Sequence, residues 1–205
     1  MSGTLRLVTP PTREIVTLDE AKNHLMPRIS HTDEDVWITE QIRRARVRVE
    51  NACGIACFTQ TWELKLDRFL PRIHLPRFPL ASVTSITYLD TAGATQTWAC
   101  SNYTVDTTSN PGRIYPAYAC YYPVPYSVPL PITITYVAGY TSVDDDALID
   151  TKSTILKLVQ WQYSNRGGTS DITRTGSIPQ FEADILASND TRCEFEFMAE
   201  LGNEC

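Results

Sequence analysis

The stretch Asp33–Gly54, DEDVWITEQIRRARVRVENACG, is the longest well-signalled helix in the chain. Thr32 suits an N-cap, and Asp33, Glu34 and Asp35 complement the positive end of a helix dipole. Gly54 sits where a left-handed residue would stop the helix. Ile38, Ile42, Ala45, Val49 and Ala52 recur at alternating four- and three-residue steps, which at ~100° per residue is one narrow apolar stripe. Trp37, Gln41, Arg44 and Arg48 run along one flank, and Arg43, Arg46 and Glu50 along the other. Such a helix packs through its stripe and presents guanidinium groups on both shoulders.

Outward from this helix the pattern is mixed. Before it, residues 1–16 read as extended, with Pro10-Pro11 blocking helix. Thr17 caps a short helix, Leu18–Leu25, and Glu20 completes a capping box. Leu18, Ala21 and Leu25 form its apolar face, and Pro27 ends it. After Gly54 the period falls to two. Strands are predicted at Thr59–Phe69, Ile73–Leu75, Ser82–Asp90, Thr95–Trp98, Tyr103–Asp106, Arg113–Tyr115 and Ile132–Val137. Turns are predicted at Thr91–Ala94 and Ser109–Gly112, and an exposed, ordered Tyr- and Pro-rich loop at Tyr118–Pro131. A second long helix follows the acidic start Asp144–Asp146. Its broad apolar face is Leu148, Ile155, Leu156, Leu158, Val159, Trp161 and Tyr163. A last helix is predicted at Gln180–Ala187, and Cys193–Met198 alternates with period two.

The fold class expected is therefore α+β: a small antiparallel helical bundle with an inserted antiparallel β region and an extended C-terminal tail. The corresponding regions are an N-terminal arm (1–16), a helical core (17–58 and 141–187), a β-rich insertion (59–140) and a tail (188–205).

Composition narrows the function classes. With 205 residues, 42% hydrophobic and 20% charged, this is a folded-domain composition. A net charge of −6 disfavours whole-surface DNA binding but leaves room for an acidic wall past which DNA slides. The N-terminal stretch lacks a long apolar core, so no signal peptide is expected. No window approaches the ~20 apolar residues of a membrane span. The six cysteines are irregularly spaced and read as free thiols of a reducing cytoplasm.

Signals for chemistry are sparse. Cys53 and Cys57 form a C-x3-C pair with His74 downstream, but no second pair completes a zinc set. One core thiol and one loop thiol is the simpler reading. The chain has no G-x-S-x-G elbow, phosphate loop or G-x-G-x-x-G. The acidic run Asp144–Asp146 reads as a dipole complement. No catalytic residue, cofactor or metal is expected. The arginines Arg43, Arg44, Arg46 and Arg48 are the sharpest feature, with three readings: a solvated face with local pairs such as Arg46–Glu50, an interface to another subunit, or a wall facing DNA.

One known family carries these signatures in the same order. Val16-Thr-Leu-Asp-Glu-Ala-Lys is followed by the acidic-capped helix ending Glu50-Asn51, then Thr59-Gln-Thr-Trp-Glu-Leu. Next come Leu80-Ala-Ser-Val-Thr-Ser-Ile-Thr-Tyr-Leu-Asp, Pro111-Gly-Arg-Ile, Tyr136-Val-Ala-Gly-Tyr and Tyr163-Ser-Asn-Arg. Over residues 15–187 this order resembles the head-tail connector (adaptor, or head-completion) proteins of tailed bacteriophages. The resemblance implies a non-enzymatic virion protein of the neck, assembled in the host cytoplasm. It implies a dodecameric ring of copies under the portal protein, extending the channel through which double-stranded DNA leaves. It further implies a head-tail stopper or tail component bound below, no membrane, and only non-specific proximity to DNA. Members often stop soon after a final short helix, whereas Thr191–Cys205 continues here. The residues expected at a subunit or portal interface are Trp37, Arg44, Arg48, Phe195 and Phe197. Two alternatives from other classes stand beside this reading: a hydrolase or metal-dependent enzyme on the β insertion, and a β-type module binding a ligand through Tyr118–Pro131.

Overall fold

Alternation along the chain's centre produces seven of the eight strands among the described residues, and their residues explain the pairing. Strand β2 (Gln60–Leu66) buries Gln60, Trp62 and Leu64 and turns Thr61, Glu63 and Lys65 outward. It lies antiparallel to β8 (Ile132–Ala138), so that Trp62 faces Tyr136 and Leu64 faces Ile134. On its other edge β2 pairs with β1 (Gly3–Thr9), whose side chains are exposed apart from the half-buried Leu5. The extended N-terminal stretch is thus an edge strand. Beyond β8 come β4 (Leu80–Leu89) and β5 (Thr95–Trp98), giving the five-stranded order β1-β2-β8-β4-β5. A smaller antiparallel sheet has the order β3-β7-β6, from Ile73–Leu75, Gly112–Pro116 and Tyr103–Asp106.

The computed structural model describes residues 3–25, 29, 31–142 and 146–164. The chain divides into two units, one of Met1–Arg13 with Ile55–Ser142 and one of Glu14–Gly54 with Val143–Cys205. The helix-ending Pro27, the acids Asp144 and Asp145, the last helix and the tail all lie outside the described residues.

The β-rich unit closes on Trp62, Leu64, Ile73, Leu75, Leu80, Ile86, Ile114, Ile132, Ile134 and Tyr136. Each such side chain contributes roughly 1.5–3 kcal/mol by leaving water. The predicted strands recur with small shifts of their ends. The largest correction is at Thr59–Phe69, where pairing stops at Leu66. In β4 the period-two pattern breaks because the strand bulges between Leu80 and Ser82 and between Val83 and Ser85. Each bulge inserts a residue and moves the following side chains to the other face.

In the helical unit, α1 (Leu18–His24) opens with the predicted capping box. Thr17 Oγ1 accepts the Glu20 amide N–H at 3.3 Å, and the Thr17 amide N–H donates to Glu20 Oε2 at 3.0 Å. Helix α2 spans Asp35–Cys53 and ends at Gly54 with φ 68°, the left-handed stop the sequence predicts. Its start differs: Glu34, not Thr32, is the cap residue, and no side chain caps the helix. After a single 3-10 turn at Asp146–Leu148, α3 runs over Ile149–Ser164. Helix α2 packs on α3 and α1, and α1 also touches α3. Glu34 and Trp37 at the start of α2 meet Tyr163 at the end of α3, so these two helices are antiparallel. The fold is α+β, with three α-helices and two antiparallel sheets among the described residues.

Candidate interface on the long helix

Helix α2 packs on two neighbours in its own unit, and its buried face is broader than one stripe. Ile38, Ile42, Ala45 and Val49 are buried as the periodicity predicts, joined by Gln41, Arg46, Glu50 and Cys53. Ala52, expected on the stripe, is exposed, and Cys53 takes its place.

Arg46 is the main correction. Expected as a shoulder cation, it is only 5% exposed. Its Nε donates to Glu14 Oε2 at 2.7 Å and its Nη1 to Glu50 Oε2 at 2.6 Å, so two carboxylates bracket one guanidinium. A charge leaves water at tolerable cost only when paired and hydrogen-bonded in this way. The Arg46–Glu50 pair was legible from its four-residue spacing. Glu14, far away in sequence, was not. One available signal was missed: Ile42, Arg46, Val49 and Cys53 repeat at four-, three- and four-residue steps, which points Arg46 inward.

The remaining arginines face outward. The exposed side of α2 is slightly concave and is lined by Glu40, Arg43, Arg44, Val47, Arg48 and Asn51. Arg44 Nε donates to Glu40 Oε1 at 3.2 Å, an exposed i,i+4 pair. Such pairs contribute little alone and exchange readily for another carboxylate. Arg43, Arg44 and Arg48 stand together on this face beside Glu40. Val36, one turn before Glu40, is 85% exposed. Trp37 is half-buried, its ring edge-on to Tyr163 with centroids 5.8 Å apart. Trp37 therefore belongs partly to the packing of α2 on α3. Of the five expected interface residues, Arg44 and Arg48 lie together on this face and Trp37 borders it. Phe195 and Phe197 lie outside the described residues.

A second exposed surface is the loop 117–131. Tyr118 is fully exposed, and Tyr121, Val124 and Tyr126 project from a segment with no charged residue. The loop is anchored at several points. Tyr122 stacks on Phe69 at 4.8 Å and leans on Trp98 at 5.0 Å. The amide of Tyr126 donates to the Leu89 carbonyl, and that of Leu130 to Asp67 Oδ1, both at 2.9 Å. Burial pushes the Tyr122 hydroxyl up to about 12.

Other predicted features resolve simply. Cys53 ends α2 and Cys57 lies in the loop between α2 and β2; both thiols are buried. Among the described residues no group of three or more His, Cys, Asp or Glu is placed to hold a metal ion. No described helix is long and apolar enough to cross a membrane. Trp161, expected on the apolar face of α3, is exposed, and the buried face narrows to Thr154, Ile155, Leu158 and Val159.

The fold is one found in gene transfer agent particles. A chain of the structure described as the virion of a native gene transfer agent particle superposes with a TM-score of 0.71, at 19% identity, covering 90% of this chain and 93% of that one. A chain of the neck of the empty particle, computed with C6 symmetry, gives 0.70 at 21% identity, covering 91% and 94%. A chain of the neck of the native particle, computed with C12 symmetry, gives 0.68 at 19% identity over the same shares. No family model and no curated protein matches the sequence. At such identities the shared property is the fold.

Proposed function

We propose that this chain is a structural head-tail connector (adaptor) of a tailed phage or phage-like particle. In this reading copies form a ring under the portal protein, extend the DNA channel and offer an attachment site to the next neck or tail component. The observation that carries it is a fold likeness spanning nine-tenths of both chains, with two of the similar chains coming from particle necks of C6 and C12 symmetry. A likeness of that extent involves the whole architecture rather than one shared motif. The role is mechanical, not enzymatic: each unit closes its own core, and the remaining surfaces tile against other molecules. The arginine face of α2 suits a charge-matched protein contact, in which weak surface pairs add up when repeated around a ring. Contact with DNA would be to phosphates and independent of sequence.

The test is imaging of the purified chain with and without portal protein. Rings on the portal are expected, and no ring with portal present overturns the reading. Arg44→Glu with Arg48→Glu is expected to lower ring occupancy at least tenfold, while the thermal melt shifts little because both residues are exposed. Unchanged occupancy removes the interface role of these two arginines and leaves the ring reading standing.

A further inference from the structure

Among the described residues of the β-rich unit, large apolar side chains stand in water at two places, the loop 117–131 and strand β1. The loop contributes Tyr118, Tyr121, Val124 and Tyr126, between 46% and 100% exposed, and carries no charged residue. Its backbone is held. Pro123, Pro125 and Pro129 fix φ at three positions. The Ala117 N–H donates to the Asn102 carbonyl at 2.8 Å, beside the anchors at Tyr122 and Tyr126 described above. Aromatic side chains on a fixed backbone lose little entropy on binding. Together the four present on the order of 500 Å². Exposed apolar patches of that size are often functional, and it is more than half of one side of a standard protein interface, ~800 Å².

Strand β1 has the complementary chemistry. It is the outer strand of the five-stranded sheet and pairs only with β2 among the described residues. Its far edge therefore presents a row of backbone N–H and C=O groups. Leu7 lies opposite Trp62, on the face β2 turns to the core, yet is 40% exposed, so the core layer stops short of β1. Val8, at the register shift between Leu7 and Thr9, is 47% exposed. Arg6, the one charged residue of the strand, stands opposite Glu63 on the other face. Such an edge suits a partner with apolar rings for Leu7 and Val8 and hydrogen-bonding groups for the backbone row. Tyrosine supplies both, because its hydroxyl donates and accepts. The two patches cannot meet within one copy. Through Trp62 and Tyr136, Leu7 is level with Val83 of β4, whereas the loop binds β4 at Leu89. That separates them by about 20 Å along the strands and about 14 Å across them. Between copies they can meet, as a heterologous contact of two different patches that repeats around a ring.

We propose that the tyrosine loop of one copy docks on the free edge of β1 in the next copy. The rings of Tyr118, Tyr121 and Tyr126 cover Leu7 and Val8, and their hydroxyls bond to the edge backbone. Apolar burial drives the contact. This contact presupposes the ring of copies proposed above, and it is separate from the arginine face of α2.

Cross-linking between copies of the full-length protein tests it. One preparation carries a photoreactive benzophenone amino acid in place of Tyr121, and the other is isotope-labelled and otherwise unchanged. The two are mixed, assembled on portal protein and irradiated, and the linked peptides are read by mass spectrometry. Position 121 is expected to join to residues 4–9 of a labelled copy. Tyr118→Ala/Tyr121→Ala is expected to lower ring occupancy at least tenfold with an unchanged melt, because both side chains are exposed. Leu7→Asp/Val8→Asp should lower occupancy as much. Should that variant melt early, the tyrosine variant and the cross-link decide. The contact is overturned if rings form with position 121 joined only to portal protein, to its own copy or to another part of the neighbour. It is also overturned if the tyrosine variant fills the ring as wild type does. Those results leave the ring standing. If no ring forms with portal present, the ring reading itself falls, and this contact with it.

Discussion

In the β-rich unit, the side chains that meet across β2, β8 and β4 are Trp62, Leu64, Ile86, Ile134 and Tyr136, with Gln60 the polar exception. In the helical unit, Gln41, Arg46 and Glu50 are as deeply buried as the aliphatic residues around them. The first interior is governed by volume. Its backbones approach so closely at Gly139, where φ is 122°, that a Cβ would land on the Phe58 carbonyl. The second interior is governed by charge as well as volume, because a guanidinium is enclosed and two carboxylates must accompany it. A sheet unit of this kind fails when something is added. A helical unit of this kind fails when one member of an ionic set is removed.

The sharpest way to break that contrast is Gly139→Ala. The added methyl overlaps the Phe58 backbone and demands a left-handed conformation, so a loss of at least ~4 kcal/mol is expected. Loss of soluble expression, or a large drop in the denaturant midpoint, is the readout. A cost below ~1 kcal/mol would show that the sheet unit yields where it looks rigid. In the helical unit, Arg46→Ala strands Glu14 and Glu50 without their shared cation and is expected to cost about 3 kcal/mol, towards the lower end for a broken buried pair because Glu14 is partly exposed. Arg46→Met with Glu50→Gln removes the buried charge from both residues and should recover more than half of that loss in urea melts. If Arg46→Ala and the double variant cost the same, volume rather than charge decides this interior too.

The smallest effect expected at neutral pH is that of Tyr122→Phe, in the sheet unit. The Tyr122 hydroxyl is buried without a hydrogen-bond partner among the described residues, so its removal should leave stability within ~0.5 kcal/mol at pH 7. The difference emerges in alkali. Burial raises the folded value to about 12, against about 10 unfolded. The resulting stability is intact below about pH 10 and is lost as pH rises through about 12. Tyr136 and Tyr103, also shifted upward by burial, contribute in the same sense. The phenylalanine variant should therefore lose stability less steeply than wild type between about pH 10 and 12, measured by denaturant midpoint. Equal slopes would place Tyr122 in water.

Local physics made much of this architecture readable. The Thr17–Glu20 box, the Gly54 stop and the two-residue period of β2 and β8 each depend on residues within a turn or a few strand positions. The hairpin β4–β5 follows from its turn. Reading failed where a second segment decides the outcome. The β4 pattern was irregular because its bulges are defined only against β8. Trp161 reads as core by type, yet the neighbours of α3 leave it exposed. For the candidate interface, the arginine run was visible, but which of its members face solvent was not.

From the sequence alone came the kinds of element, most of their ends, the α+β class and an arginine-rich helix. These rest on backbone geometry and on chemistry carried by adjacent residues. The tertiary structure decided the strand order, which separates β1, β2, β8 and β4 by long stretches of chain. It also divided four similar arginines into one enclosed between Glu14 and Glu50 and three on an open face. That division could not be local, because whether a guanidinium can leave water depends on carboxylates brought to it by the fold, and one of them arrives from the far side of α1.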